Sequence, residues 1–124
     1  MSHSLIIKAG IYNDELNLPK RGFPVSIKNS NGKGVFSLYE DGSSFVGVAL
    51  EDAISYKEIN LKSNIISVCY LGLVNAIAFE NLIAGDIVIP SKDGFKKSSD
   101  GSGVGVVIRG GNSKNYVEIL LKNF

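Results

Sequence analysis

The sequence predicts an all-β protein, a small barrel or sandwich of about nine short, mainly antiparallel strands. Three observations carry that prediction. Short β-favouring segments are separated by Asn-Gly and Asp-Gly turns, and no segment offers three turns of amphipathic helix. The third is an echo: DGSSFVGVALED at 41–52 and DGSGVGVVIR at 100–109 share an Asp-Gly-Ser start and a Val-Gly-Val centre. It predicts two halves of related β construction.

In chain order, residues 1–21 read as an N-terminal segment or arm, and 22–124 as a β-barrel-like domain. Leu5, Ile6, Ile7, Ile11 and Tyr12 are the candidate partner-contact residues, because an apolar stretch outside a core needs a partner. The competing reading makes them an edge strand of the same domain. Strands follow at 23–27, 33–39 and 45–50. Pro24 offers no N–H, so its strand begins there or runs along an edge. Asn29-Ser30-Asn31-Gly32 suits a hairpin, since Asn and Gly tolerate positive φ.

Residues 51–58 are too short and mixed for a helix, and 56–61 alternate as a strand would. A nearly continuous apolar strand is expected at 65–71, interrupted by Gly72, with a second strand at 73–79. A strand at 86–90 stops at Pro90, Ser91–Gly94 turns the chain, and Phe95–Lys97 returns. The last two strands are 104–109 and 115–121; in the final one Val117, Ile119 and Leu121 share a face opposite Tyr116, Glu118 and Leu120.

The glycine-rich pieces do not read as phosphate loops. A phosphate-cradling loop leads from a strand into a helix, and the triphosphate version needs Gly-Lys-Ser/Thr. Here both pieces lead into β-favouring residues and neither has the lysine. Gly42, Gly47, Gly72, Gly85, Gly94, Gly103 and Gly105 are therefore read as residues that shape strands and turns.

Chemistry finds little purchase. Of 124 residues, 13 are basic and 12 acidic, a net charge of +1, so direct nucleic-acid binding is not expected. Lys20-Arg21 and Lys96-Lys97 are the only basic pairs, neither beside an aromatic cluster. Cys69 is the single cysteine, set in an apolar strand, and His3 is the single histidine, near the terminus. A disulfide within the chain is excluded, and a Cys-His or Ser-His-Asp arrangement has little to stand on. Glu40-Asp41, Glu51-Asp52, Asp86, Asp93 and Asp100 read as turn and strand-end chemistry rather than a paired-carboxylate or cation site. No metal, cofactor or catalytic residue is expected. No apolar run is long enough for an ordinary membrane span, and no secretion signal opens the chain.

The order of signals resembles a known family. Phe45–Ala53 (FVGVALEDA), Tyr70–Val74 (YLGLV), Ala84–Ile89 (AGDIVI), Asp93-Gly94-Phe95, Val104–Val107 (VGVV) and Val117–Leu121 (VEILL) together resemble the small capsid decoration, or cement, proteins of tailed bacteriophages. The likeness spans roughly 22–122. It implies a non-enzymatic virion protein, made in the host cytoplasm, that coats the outer capsid surface and stabilises the head. Its implied partners are the major capsid protein and further copies of itself, a trimer being one arrangement. Repeated weak contacts on a lattice suit such a protein. The alternative is a carbohydrate- or protein-binding β module of a phage fibre or host surface protein, whose sign would be clustered exposed aromatics; Tyr12, Tyr39, Tyr56 and Tyr116 are the ones to follow.

Overall fold

Nine strands and no α-helix run through the residues that this computed structural model describes, 5–11, 17–53 and 65–122. They are β1 (Leu5–Gly10), β2 (Pro24–Ser30), β3 (Lys33–Leu38), β4 (Ser44–Ala49), β5 (Ile65–Ile77), β6 (Ile87–Ser91), β7 (Gly94–Lys97), β8 (Gly105–Arg109) and β9 (Tyr116–Leu121). All ladders between them are antiparallel. The expected strand at 56–61 and the residues Tyr12 and Tyr56 lie outside the described residues.

β5 organises the molecule. Its first half pairs with β1 on one side and β4 on the other; its second half, from Gly72 to Ile77, pairs with β9. The expected break at Gly72 is instead a bend inside one strand of 13 residues. Gly72 has φ 100, a left-handed value that costs glycine nothing, so the strand turns without ending. Pro90 likewise sits inside β6, paired with Phe95, rather than stopping it. β6 meets β8 only through Ile87 and Val88, so the missing N–H of Pro90 lies beyond that ladder.

Each half of β5 belongs to a five-stranded unit curled on itself. In barrel A the order is β3-β2-β4-β5-β1, and a parallel bridge from Ile11 to Phe36 joins the far edges. In barrel B the order is β7-β6-β8-β9-β5, and a parallel bridge from Ala78 to Phe95 joins them. The pairings correspond one to one, with β1, β2, β3, β4 and the first half of β5 matched by the second half of β5, β6, β7, β8 and β9.

Hydrogen bonds repeat the match at residue level. Gly22 N donates to Ala49 O (2.9 Å) and Ala49 N to Phe23 O (3.2 Å); Gly85 N donates to Val107 O (2.8 Å) and Val107 N to Asp86 O (2.9 Å). Tyr39 N to Pro24 O and Ala53 N to Pro19 O in barrel A recur as Ser98 N to Ile87 O and Gly111 N to Leu82 O in barrel B. The Val-Gly-Val centres of DGSSFVGVALED and DGSGVGVVIR thus fall at equivalent places in β4 and β8, while their Asp-Gly-Ser starts lie one residue out of register.

The reason lies in packing. Gly47 in β4 faces the backbone of β5, and a Cβ there would run into the Cys69 carbonyl oxygen. At Gly105 a Cβ would lie 2.8 Å from Leu120 O. Glycine at the centre of each Val-Gly-Val lets two strands cross closely on a tightly curved sheet. The β2–β3 hairpin closes through Asn31 and Gly32, with φ 53 and 85, the two positive values of a type I′ turn.

The cores also correspond. Ile11, Val25, Phe36, Ala49, Ile66 and Val68 fill barrel A; Ala78, Val88, Phe95, Val107, Val117 and Ile119 fill barrel B. Burying a Val, Ile or Phe side chain contributes about 1.5–3 kcal/mol relative to exposure. Val48 and Cys69, on the outer face of barrel A, are wholly buried because they join the core cluster of barrel B. The two barrels therefore share one strand and one apolar seam.

A candidate binding cleft at the seam between the barrels

The seam opens on one side into a cleft of about 590 Å³ lined by Phe23, Ile77, Phe79, Asp93 and Lys114. Phe23 comes from the turn before β2 in barrel A, and the other four from barrel B. Ile77 N donates to Gly22 O at 2.8 Å, which pins the two walls together. Tyr116, opposite Ile77 in the β5–β9 ladder and 51% exposed, lies against Gly22.

Turn chemistry positions the rim. Phe79 N donates to Phe95 O at 2.8 Å, while Ser113 Oγ donates to Phe79 O at 2.7 Å. The Phe79 backbone is held at both ends, and the residue stays 45% exposed. Lys114 has φ 69, uncommon for a residue with a side chain, and its N–H donates to Ala78 O at 2.7 Å. That bond holds the left-handed turn which places the lysine at the cleft. Asp93 belongs to the two-residue loop between β6 and β7. Gly94 follows with φ 129, and a Cβ there would come within 2.8 Å of Ile77 O.

An apolar floor with one cation and one anion at its rim suits binding, with the charges orienting what the rings hold. Among the described residues no group of three or more His, Cys, Asp or Glu is arranged to hold a metal ion. Four other carboxylates serve the fold. Asp52 accepts from Arg21 N, Asp86 accepts from Ile83 N, and Glu80 accepts from Lys97 N. Asp100 accepts from the N–H and hydroxyl of Ser102 and the hydroxyl of Ser98, which hold its carboxyl at about 2, below the ordinary 3.8. Lys97, of the Lys96-Lys97 pair, lies 3.7 Å from Asp86.

The segment singled out from sequence is β1 with its continuation. Leu5 and Ile6 are 46% and 49% exposed, Ile7 is half-buried, and Ile11 is buried against barrel A. Among the shaping glycines, Gly42 and Gly85 have positive φ in open turns, and a Cβ at Gly103 would strike Val88 O. Tyr39 is edge-on to Phe45, with centroids 6.2 Å apart, and is not among the residues that line the cleft. Phe23 and Phe79 had no signal in the sequence beyond being aromatics at strand ends; that they line one cleft depends on how barrel A sits on barrel B.

No protein-family model and no curated protein matches the chain. Among solved structures it is similar to the head fiber gp8.5 N base of bacteriophage phi29, with a TM-score of 0.67 and 14% identity over 95% of each chain. At that identity the likeness establishes the fold, and it extends over both barrels.

Proposed function

We propose that this chain is a non-enzymatic phage virion protein that binds the outer surface of the assembled capsid and stabilises the head. The observation that carries the reading is the fold likeness, across 95% of each chain, to the base of a phage head fiber. The resemblance of Phe45–Leu121 to capsid decoration proteins points the same way. The partner is the major capsid protein, met by many copies at once, so that modest contacts add into firm attachment. A net charge of +1 suits a protein lattice better than packaged DNA.

The test is direct. Purified chain, mixed with expanded DNA-free shells, should co-sediment with them and add density to the outer surface in electron microscopy. Absence of binding and of density would overturn the proposal.

A second reading has one observation in its favour. Phe23, Phe79 and Tyr116 bring three aromatic rings to one cleft region, as a glycan- or peptide-binding module would. Under that reading Phe79→Ala abolishes binding to host-surface glycans and leaves shell binding intact.

A further inference from the structure

The internal repeat supplies a template for contact between barrels, and among the described residues one set of its surfaces is left without cover. Inside the chain, the Lys20–Phe23 turn of barrel A seats on the edge of barrel B where Ile77 and Tyr116 pair. Ile77 N donates to Gly22 O, and a Cβ on Gly22 would touch the Tyr116 ring at 2.7 Å and Ile77 Cγ1 at 3.2 Å. Beside that turn, Val48 and Cys69 are wholly buried under barrel B.

The matching turn in barrel B is Ile83–Asp86, closed by Asp86 N to Ile83 O as Lys20–Phe23 is closed by Phe23 N to Lys20 O. Nothing lies within 4 Å of a Cβ on Gly85, the counterpart of Gly22. Val106 and Leu120, paired across β8 and β9 as Val48 and Cys69 are across β4 and β5, remain partly exposed. On the receiving side, the counterpart of the Ile77–Tyr116 pair is Gly10–Ile65, paired across β1 and β5. Ile83 is 69% exposed and Ile65 57%, the two highest values among the exposed large hydrophobics described. Among the described residues, one falls on the uncovered donor surface and the other on the acceptor surface.

We infer that copies of this chain associate head to tail. The Ile83–Asp86 turn of one copy, with Val106 and Leu120 beside it, seats on the Gly10–Ile65 edge of the next, as barrel A seats on barrel B within one chain. Such a contact is heterologous: the two patches differ, and repetition generates a ring or a longer array. The occupant is a second copy because the covering surface already exists in the chain, attached to the same fold. The inference stands apart from the capsid reading, since it concerns protein in solution without shells.

Two variants test it, Ile83→Asp and Ile65→Asp. Both positions are more than half exposed, so both variants should keep the native circular dichroism and melting behaviour. By sedimentation at high micromolar concentration, wild type should exceed the 13.3 kDa monomer and each variant should be monomeric. Mixing the two variants should restore a dimer and nothing larger, because Ile65→Asp retains an intact Ile83 turn and Ile83→Asp an intact Ile65 edge. Lys33→Asp, in the exposed β2–β3 hairpin, should assemble as wild type does. A monomeric wild type, a single variant that still assembles, or a mixture that stays monomeric would each overturn the inference.

Discussion

Phe36 and Phe95 occupy equivalent places in the two barrels, bridge equivalent residues and are both wholly buried. Their surroundings differ at the seam. Phe95 meets Phe45 of barrel A edge-on, with ring centroids 6.1 Å apart and planes at 88°, whereas no ring contact to Phe36 occurs among the described residues. Truncating either to alanine opens a core cavity and should cost about 3–5 kcal/mol. Phe95→Ala should cost a further ~1 kcal/mol, because an edge-to-face pair contributes about 0.5–1.5 kcal/mol beyond its buried area. With a urea slope of about 2 kcal/mol per molar, the Phe95→Ala midpoint should fall about 0.5 M below that of Phe36→Ala.

Tyrosine fluorescence reads the transition, since the chain has five tyrosines and no tryptophan, and far-UV circular dichroism provides a second probe. Both probes should report a single transition in both variants, because β5 and the seam couple the barrels. A double-mutant cycle with Phe45→Ala should return a coupling of about 1 kcal/mol. Equal midpoints for the two phenylalanine variants with no coupling to Phe45, or separate unfolding of the barrels, would refute the picture of one shared core.

Further expectations concern the backbone, acid stability and the lone thiol. Gly47→Ala should destabilise more than Gly105→Ala, because its Cβ meets the Cys69 backbone more closely than the Gly105 Cβ meets Leu120 O. Overpacking of this kind costs about 1–3 kcal/mol, and urea midpoints in the reverse order would contradict the close-crossing account. Gly72→Ala, with φ 100 at the bend of β5, should cost about 1–2 kcal/mol, and a neutral result would mean that the bend relaxes freely. The Asp100 carboxyl is held at about 2, first by the Ser102 N–H and then by the Ser102 and Ser98 hydroxyls. A depressed folded pKa gives stability that is present above 3.8 and is lost as pH falls toward 2, so the melting-temperature gap between wild type and Asp100→Asn should close over that window. A gap constant across it would remove Asp100 from the account. Cys69 is fully buried, with Sγ 3.4 Å from Leu71 O, so a thiol reagent should label it only as fast as the protein opens; rapid labelling of native protein would contradict its burial.

Local chemistry made much of this protein legible. Asn31-Gly32 and Asp41-Gly42 mark turns because few residue types accept positive φ, and the alternation of Val117, Ile119 and Leu121 marks an inward face because side chains on a strand point to opposite sides. The Val-Gly-Val echo even flagged the repeat. Gly72 and Pro90 misled for the same reason that the others informed: each was weighed by its local preference, while its neighbours in space decided whether the strand continued.

By itself the sequence determined the class of fold, most turns and the strand faces, all set by interactions within a few residues, and its echo pointed to two like halves. Only the tertiary structure decided that one strand, Ile65–Ile77, serves both halves, that Ile11–Phe36 and Ala78–Phe95 close them, and that Phe23 and Phe79 line one cleft. Those are contacts between residues far apart in the chain. Their partners are chosen by the burial and backbone bonding of the whole molecule, which no single stretch of sequence records.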